Sequence, residues 1–400
     1  MTELDRYEQD MITRIDYQSM LTHTLEWSTI NSGTRNLDGL GKLASRLAAE
    51  FSDLPGIVAL RDPAPTEAVT ATGKVESLIA GRHLVVRVRP DASRRILLTG
   101  HMDTVFAEDD AFQQCRWLDT DRLNGPGVLD MKSGLAIMLA GLKAFETISP
   151  DLGYDVLINS DEETGSLSSA VLIDELAVGK FAALTFEPSL PGGIMARARP
   201  GSGNLAAVIA GRAAHAGRNP EDGRNAVVAA SDLALRLSNA QHPSLSINPA
   251  KIDGGGPTNV VPDNAVLRFN IRPRKEKNVA EATVVVANLS AQVASDHDVD
   301  IKLHGGIGRP PKMISPATER LFGLVKEAAT ALGEPLSWRD AGGVCDGNNI
   351  ARQGVPVLDT MGAIGEFIHS PNEYLDVRSL VPRARLTALV LHRLAQCEQL

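Results

Sequence analysis

Three apolar runs in this chain stop abruptly on residues that bind protons or metals. "RILLTG" runs into His101 and Asp103, "YDVLINS" into Asp161, Glu162 and Glu163, and "FAALTF" into Glu187. Short runs without polar alternation read as strands buried on both faces, the mark of a parallel sheet covered by helices. "DMKSGLAIMLAGLKAFETIS", residues 130–149, supplies an apolar-periodic helix between the first two runs. Strand, helix and strand in this rhythm predict a doubly wound α/β sheet. Ligands of such sheets collect in a crevice outside the carboxyl ends of the strands, so the pattern brings a histidine and several acids to one edge.

The rest of the chain completes that architecture and interrupts it once. Residues 17–53 read as helical, with Leu37, Leu40, Leu43, Leu47 and Phe51 spaced by three and four. "KVESLIAGRHLVVRVRP", 74–90, alternates about an Ala-Gly-Arg turn and predicts a hairpin. Near residue 200 the texture changes to Pro-Gly-Ser-Gly punctuation. From there the order is strand, helix ("NAVVAASDLALRLSNA"), two strands, helix (278–294) and strand ("DVDIKLHG"). That β-α-β-β-α-β order is the ferredoxin-like pattern, which makes 200–308 an inserted domain. The parent α/β domain is then 1–199 with 309–400, closed by a helix near 316–333, the strand "VPVLDT" and a terminal helix near 378–398.

Bulk properties exclude several classes. A net charge of −9 on 400 residues leaves no basic face for phosphate contacts, which argues against nucleic acid. Cys115, Cys345 and Cys397 are odd in number and scattered, neither a disulfide framework nor a cysteine zinc site. No apolar run nears the roughly 20 residues of a membrane span. The polar, acidic start "MTELDRYEQDMITRID" lacks the signature of a secretion signal. The expectation is a cytoplasmic enzyme acting on a small molecule.

The candidate chemistry is metal-assisted. His101, Asp130, Glu187, the later His369 and one of the adjacent Glu162 and Glu163 provide two imidazoles and three carboxylates, a set that suits two Zn²⁺ ions at about 2.0–2.2 Å. Two ions roughly 3.5–4 Å apart need a bridging carboxylate. Asp130, springing from the start of a helix, is the best candidate. Co²⁺ or Mn²⁺ are possible substitutes. Asp103 is too close to His101 to act as an independent ligand and reads as the acceptor that fixes its tautomer. The adjacent Glu162 and Glu163 should divide their work, one on metal and one facing the attacking water.

The pieces "GHMDTV", "GPGVLDMKSG", "SDEETGS", "FEPS", "GRAAHAGRNPEDGRNAV" and "HSPNEY" occur in this order between residues 100 and 374. In them the chain resembles the dizinc metallopeptidases and deacylases that include glutamate carboxypeptidases, acetylornithine deacetylases, succinyl-diaminopimelate desuccinylases and aminoacylases. The bacterial glutamate carboxypeptidases are the nearest of these. The resemblance implies one zinc on His101 and Glu187, the other on Glu163 and His369, and Asp130 between them. It makes Glu162 the general base and Asp103 the support of His101, and it implies a cis Asp130–Met131 peptide. Glutamate at 187, rather than aspartate, leans toward the carboxypeptidase and deacylase branch.

The same resemblance makes the inserted domain a lid through which the chain forms a homodimer. His215 would reach the partner subunit's site and steady an oxyanion. Asn259, Arg272 and Arg309 would lie near a substrate carboxylate, beside the loop of Gly342 and Gly343. In that loop Cys345 replaces the family's threonine, which leaves the metal chemistry intact and puts the substrate side chain in doubt. The implied reaction is release of a C-terminal, glutamate-like amino acid from a small peptidyl or N-acyl substrate. The alternatives are an N-acyl-amino-acid deacylase and a catalytically silent metal-binding dimer. An intact Glu162 argues against the last.

Overall fold

The structure, a computed structural model, describes residues 3–148 and 150–400. Its central sheet has six strands in the order Ile57–Arg61, His83–Val88, Gly153–Asn159, Arg95–His101, Ala182–Thr185 and Val357–Leu358. The last four run parallel, and the first two continue the sheet antiparallel. Alternation along the strands feeds two cores. Ile96 and Leu98 enter one hydrophobic cluster with the helices Ser133–Glu146 and Leu380–Gln396. Leu97, Val85 and Leu157 enter another, with Ile173 of Ala170–Ala177 and Ile350 of Asp346–Arg352. Helices therefore cover both faces of the sheet, as expected of apolar runs that cannot face water on either side.

The inserted unit has the sheet order Leu245–Gly254, Asn264–Pro273, Ser202–Ala210, Asp300–Arg309, with every neighbouring pair antiparallel. Its helices, Ala226–Asn239 and Lys277–His297, share a separate core with the sheet through Leu233, Leu237, Val286 and Val293 against Ile209, Leu267 and Phe269. Asn225 starts the first helix by accepting from the N–H groups of Val227 and Val228. The ferredoxin-like order is thus present, with a hydrophobic core of its own.

Three local expectations give way. Residues 17–53 form two helices, Tyr17–Ser28 and Leu37–Phe51, because the chain between them passes hard against another loop. A Cβ on Gly33 would lie 2.3 Å from the Phe106 carbonyl oxygen. The hairpin expected over 74–90 does not form. Val75–Leu78 pairs instead with Thr66–Val69, while His83–Val88 enters the main sheet. Burial decides the outcome: His83–Val88 is almost wholly buried and Val75–Leu78 is mostly exposed. A strand with two apolar faces gains more from the centre of a sheet than from a solvent-facing ribbon. The helix expected from residue 130 begins at Ser133, and Asp130 and Met131 before it have non-helical backbone angles.

Candidate metal centre

His101 is the last residue of its strand, and its side chain is only 1% exposed. Its Nε2 lies 3.1 Å from Asp130 Oδ1 and 3.9 Å from Glu187 Oε2. Asp130 turns its other oxygen the opposite way, with Oδ2 3.3 Å from His369 Nε2. That same nitrogen is 3.2 Å from Glu163 Oε2. Two ligand triads follow, His101–Asp130–Glu187 and Asp130–Glu163–His369, with the donor atoms of each within 4.8 Å of one another. Asp130 belongs to both.

Local backbone accounts for these positions. Asp130 sits in a loop whose N–H groups at Gly127, Leu129 and Asp130 all donate to the buried Glu373 carboxylate, at 3.3, 2.9 and 3.0 Å. The Asp130–Met131 peptide is cis. Glu162 and Glu163 form a short 3₁₀ turn after Gly153–Asn159. Asp103 anchors that turn: Oδ1 accepts from Glu162 N at 3.1 Å, and Oδ2 accepts from Glu163 N at 3.2 Å and Thr34 Oγ1 at 2.7 Å. Asp103 also lies against the ring it was expected to orient. Its carbonyl oxygen, not its carboxylate, is the nearer partner of His101 Nδ1, at 3.0 against 3.5 Å. The carboxylate holds the glutamate turn because two N–H groups and a hydroxyl converge on this buried acid.

The electrostatics suit a cation. Burial pushes Glu162 up to about 8, opposed chiefly by Arg309. Burial and the Asp130 charge raise Glu163, and burial with the Glu162 charge raises Glu187 well above the ordinary carboxylate range. Hydrogen bonds to Asp130 and Glu163 raise His369 to about 11. Burial disfavours charge on both His101 and Asp130. Hydrogen bonds donated to Asp103 and Asp130 nonetheless raise His101 well above its usual value, and those accepted from His101 and His369 hold Asp130 well below its own. Carboxylates crowded in low dielectric with imidazoles between them are a donor set that fits divalent metal ions. The residues present fit the group.

Glu162 is a ligand in neither triad. Its Oε1 is 2.8 Å from Arg309 Nη2, which also donates to the Glu162 carbonyl (3.1 Å), Ser166 Oγ (2.7 Å) and Asp346 Oδ1 (3.1 Å). Arg309 was expected beside a substrate carboxylate. In this structure it is buried and braces Glu162, because a guanidinium so enclosed must be met by acids and carbonyls. Arg272 is half-buried and donates to the Gly342 carbonyl at 3.0 Å, while the exposed Gly343 accepts from Arg199 at 3.1 Å. His215 and Asn259 are exposed on neighbouring segments of the inserted unit, joined through Ala216 N donating to the Asn259 carbonyl at 2.9 Å. No hydrogen bond or ion pair among the described residues ties either to the cluster.

Several buried supports were not singled out from the sequence. Arg199 grips Asp359 with Nε at 2.8 Å and Nη2 at 2.9 Å, and Lys312 Nζ lies 2.9 Å from the same carboxylate. Asp346 binds Arg309, Ser166 and Asn159. In sequence each looks like an ordinary surface charge, and only Asp346 lay in a motif already of interest. Cys345 is a buried thiol that burial pushes far up, as a packed, inert loop residue should be. Among the described residues, no helix is long and apolar enough to cross a membrane.

The family model described as peptidase family M20/M25/M40 matches residues 97–393. Carboxypeptidase G2 of Pseudomonas sp. (strain RS-16) is 30% identical over 389 residues, 94% of this chain and 89% of its own. Succinyl-diaminopimelate desuccinylase of Acinetobacter baylyi is 29% identical over 289 residues, 68% of this chain and 75% of its own. Among solved structures, a tripeptidase from Staphylococcus aureus superposes with a TM-score of 0.76 at 22% identity, over 96% of this chain and all of its own.

Proposed function

For a chain that belongs to peptidase family M20/M25/M40, and so is a hydrolase of the peptidase and deacylase kind, we propose a dizinc carboxypeptidase releasing a C-terminal, glutamate-like amino acid. The observation that carries this is the two-sided Asp130, shared by the two ligand triads, with Glu162 beside both and a member of neither. His101 and Glu187 would hold one ion, Glu163 and His369 the other. A divalent ion held there supplies Lewis acidity, polarising a carbonyl oxygen and lowering the pKa of water.

The chain's own residues do the rest. Asp103 fixes the main chain of Glu162 and Arg309 fixes its carboxylate, so the base has one orientation toward an incoming water. Glu162 takes the proton of that water and returns it to the leaving nitrogen. His215 is too exposed to act where it stands in a single chain. The reading assigns it to the site of a second copy, brought there through the domain 200–308. In support, that domain leaves Leu245–Gly254 at an open sheet edge, with exposed Leu235 and Ile252 alongside. Arg272 with the loop of Gly342 and Gly343 stands as the candidate recognition side.

The likeness to a desuccinylase favours a second reading, an N-acyl-amino-acid deacylase. One experiment separates them: metal content, sedimentation and turnover of a panel of peptidyl and N-acyl amino acids, in wild type and Glu162→Ala. Turnover of peptidyl-glutamates above N-acyl substrates, with two ions per chain retained and activity lost in the variant, supports the proposal. Preference for N-acyl substrates moves the assignment to the deacylase, and wild-type activity in Glu162→Ala removes the base.

A further inference from the structure

A cavity of about 340 Å³ lies at the root of the hairpin Ile364–Glu366 and Tyr374–Asp376, lined by Gly192, Gly193, Glu334, Ile364, Ser379 and Arg383 among others. None of the metal-cradle residues lines it. Arg383, near the start of the helix Leu380–Gln396, is only 3% exposed. Its Nη2 donates to the Gly193 carbonyl at 2.9 Å, and its Nη1 meets, among the described residues, only the sulfur of Met195, at 3.0 Å. A thioether is a weak acceptor, and among the described residues no carboxylate forms an ion pair with this guanidinium.

A buried charge is ordinarily paired or fully hydrogen-bonded, and Arg383 is neither. None of the other charged residues lining the cavity forms an ion pair with it. Asp376 is paired with Arg378 at 2.7 Å, and Glu334 is exposed. Burial pulls Arg383 down to about 10, with Glu334 alone opposing, so it stays charged at neutral pH. The facing turn keeps the space open. Gly192 and Gly193 both have positive φ, and a Cβ on Gly193 would lie 3.7 Å from Arg383 Nη2 and 2.9 Å from Ile364 Cδ1.

We propose that this cavity binds a small oxyanion, a carboxylate or phosphate group, on the Arg383 guanidinium. A planar fork of donors suits both chemistries, and the volume admits a small metabolite rather than a bare ion. The test combines selenate-soaked crystals of the metal-loaded protein, read by anomalous diffraction, with thermal unfolding titrated by phosphate and by acetate in wild type, Arg383→Gln and Glu334→Gln. Anion binding at the metal cradle is common to all three proteins and cancels in the comparison. The expected result is a selenate peak within hydrogen-bonding reach of Arg383. The Tm response should weaken at least tenfold in apparent affinity in Arg383→Gln and tighten in Glu334→Gln. A response to phosphate alone assigns a phosphorylated ligand, and a response to acetate alone a carboxylate. No peak at Arg383, or identical titrations in the three proteins, overturns the site. Should Arg383→Gln fail to fold, the wild-type map and Glu334→Gln still decide it.

Discussion

The two halves of the candidate metal cradle are built by opposite means. The half around His101 and Glu187 hangs from the ends of adjacent parallel strands, and His101 is sealed at 1% exposure. The half around Glu163 and His369 depends on loops. His369 is 51% exposed and, like Phe367 two residues earlier, adopts a positive φ that a side chain disfavours. Asp130 joins them, held by Glu373 through three backbone N–H groups. Strand ends position a ligand through the whole ladder of the sheet, whereas a hairpin loop positions one through a few local bonds. The same chemistry is therefore anchored firmly on one side and loosely on the other.

That contrast can be broken in four ways. The largest effect belongs to the residue outside both halves: Glu162→Gln is expected to lower kcat by about 10²–10⁴-fold with metal content unchanged. Metal lost in step with activity would make Glu162 a ligand and redraw the halves. Next, removal of metal by a chelator should proceed in two phases, the looser ion leaving first. His369→Ala should abolish the fast phase and keep the slow one, while His101→Ala should do the reverse. Each loss should exceed the 10–100-fold in affinity typical of an outer partner, and a single phase in both variants would refute the asymmetry.

Third, the buried Asp359 beneath the sheet-borne half is held below the usual carboxylate range by Arg199 and Lys312, against the opposing effect of burial. A depressed pKa contributes stability that is present above the unfolded value and lost as pH falls through the folded one. Wild type should thus lose stability on acidification below about pH 4, and Asp359→Asn should lack that step. Removing the acid leaves two buried cations unmatched, so the variant should be about 3–5 kcal/mol less stable at neutral pH in urea unfolding. The smallest effect is that of Thr34→Val, which deletes one hydrogen bond to the Asp103 carboxylate. A cost of about 1.5–3 kcal/mol in stability and a few-fold drop in kcat with KM unchanged are expected. A change confined to KM would mean that Thr34 faces substrate.

What could be read in advance follows the range of the interactions. His101, Glu162, Glu163 and Glu187 were visible because each ends an apolar run, a local signal that needs no knowledge of packing. The β-α-β-β-α-β order of the inserted unit was visible for the same reason. The supports were not. Glu373 meets the Asp130 loop across more than 240 residues, Thr34 meets Asp103 across 69, and Arg199 meets Asp359 across 160. In sequence such charges look like solvated surface, and no periodicity marks the buried ones. The hairpin over 74–90 failed similarly, since alternation identifies a strand without naming its partner.

The amino-acid order alone determined the class of fold, the insertion and the identity of the groups that gather at the sheet edge, because hydrophobic period and abrupt polar endings are local properties. Only the tertiary structure decided which oxygen of Asp130 faces which histidine, and that the Asp103 carboxylate also anchors the glutamate turn. It alone revealed that Arg309 grips Glu162 and that Arg383 is buried without a counter-charge. Those are outcomes of burial, where a polar group must take whatever partner the packed chain brings within about 3 Å.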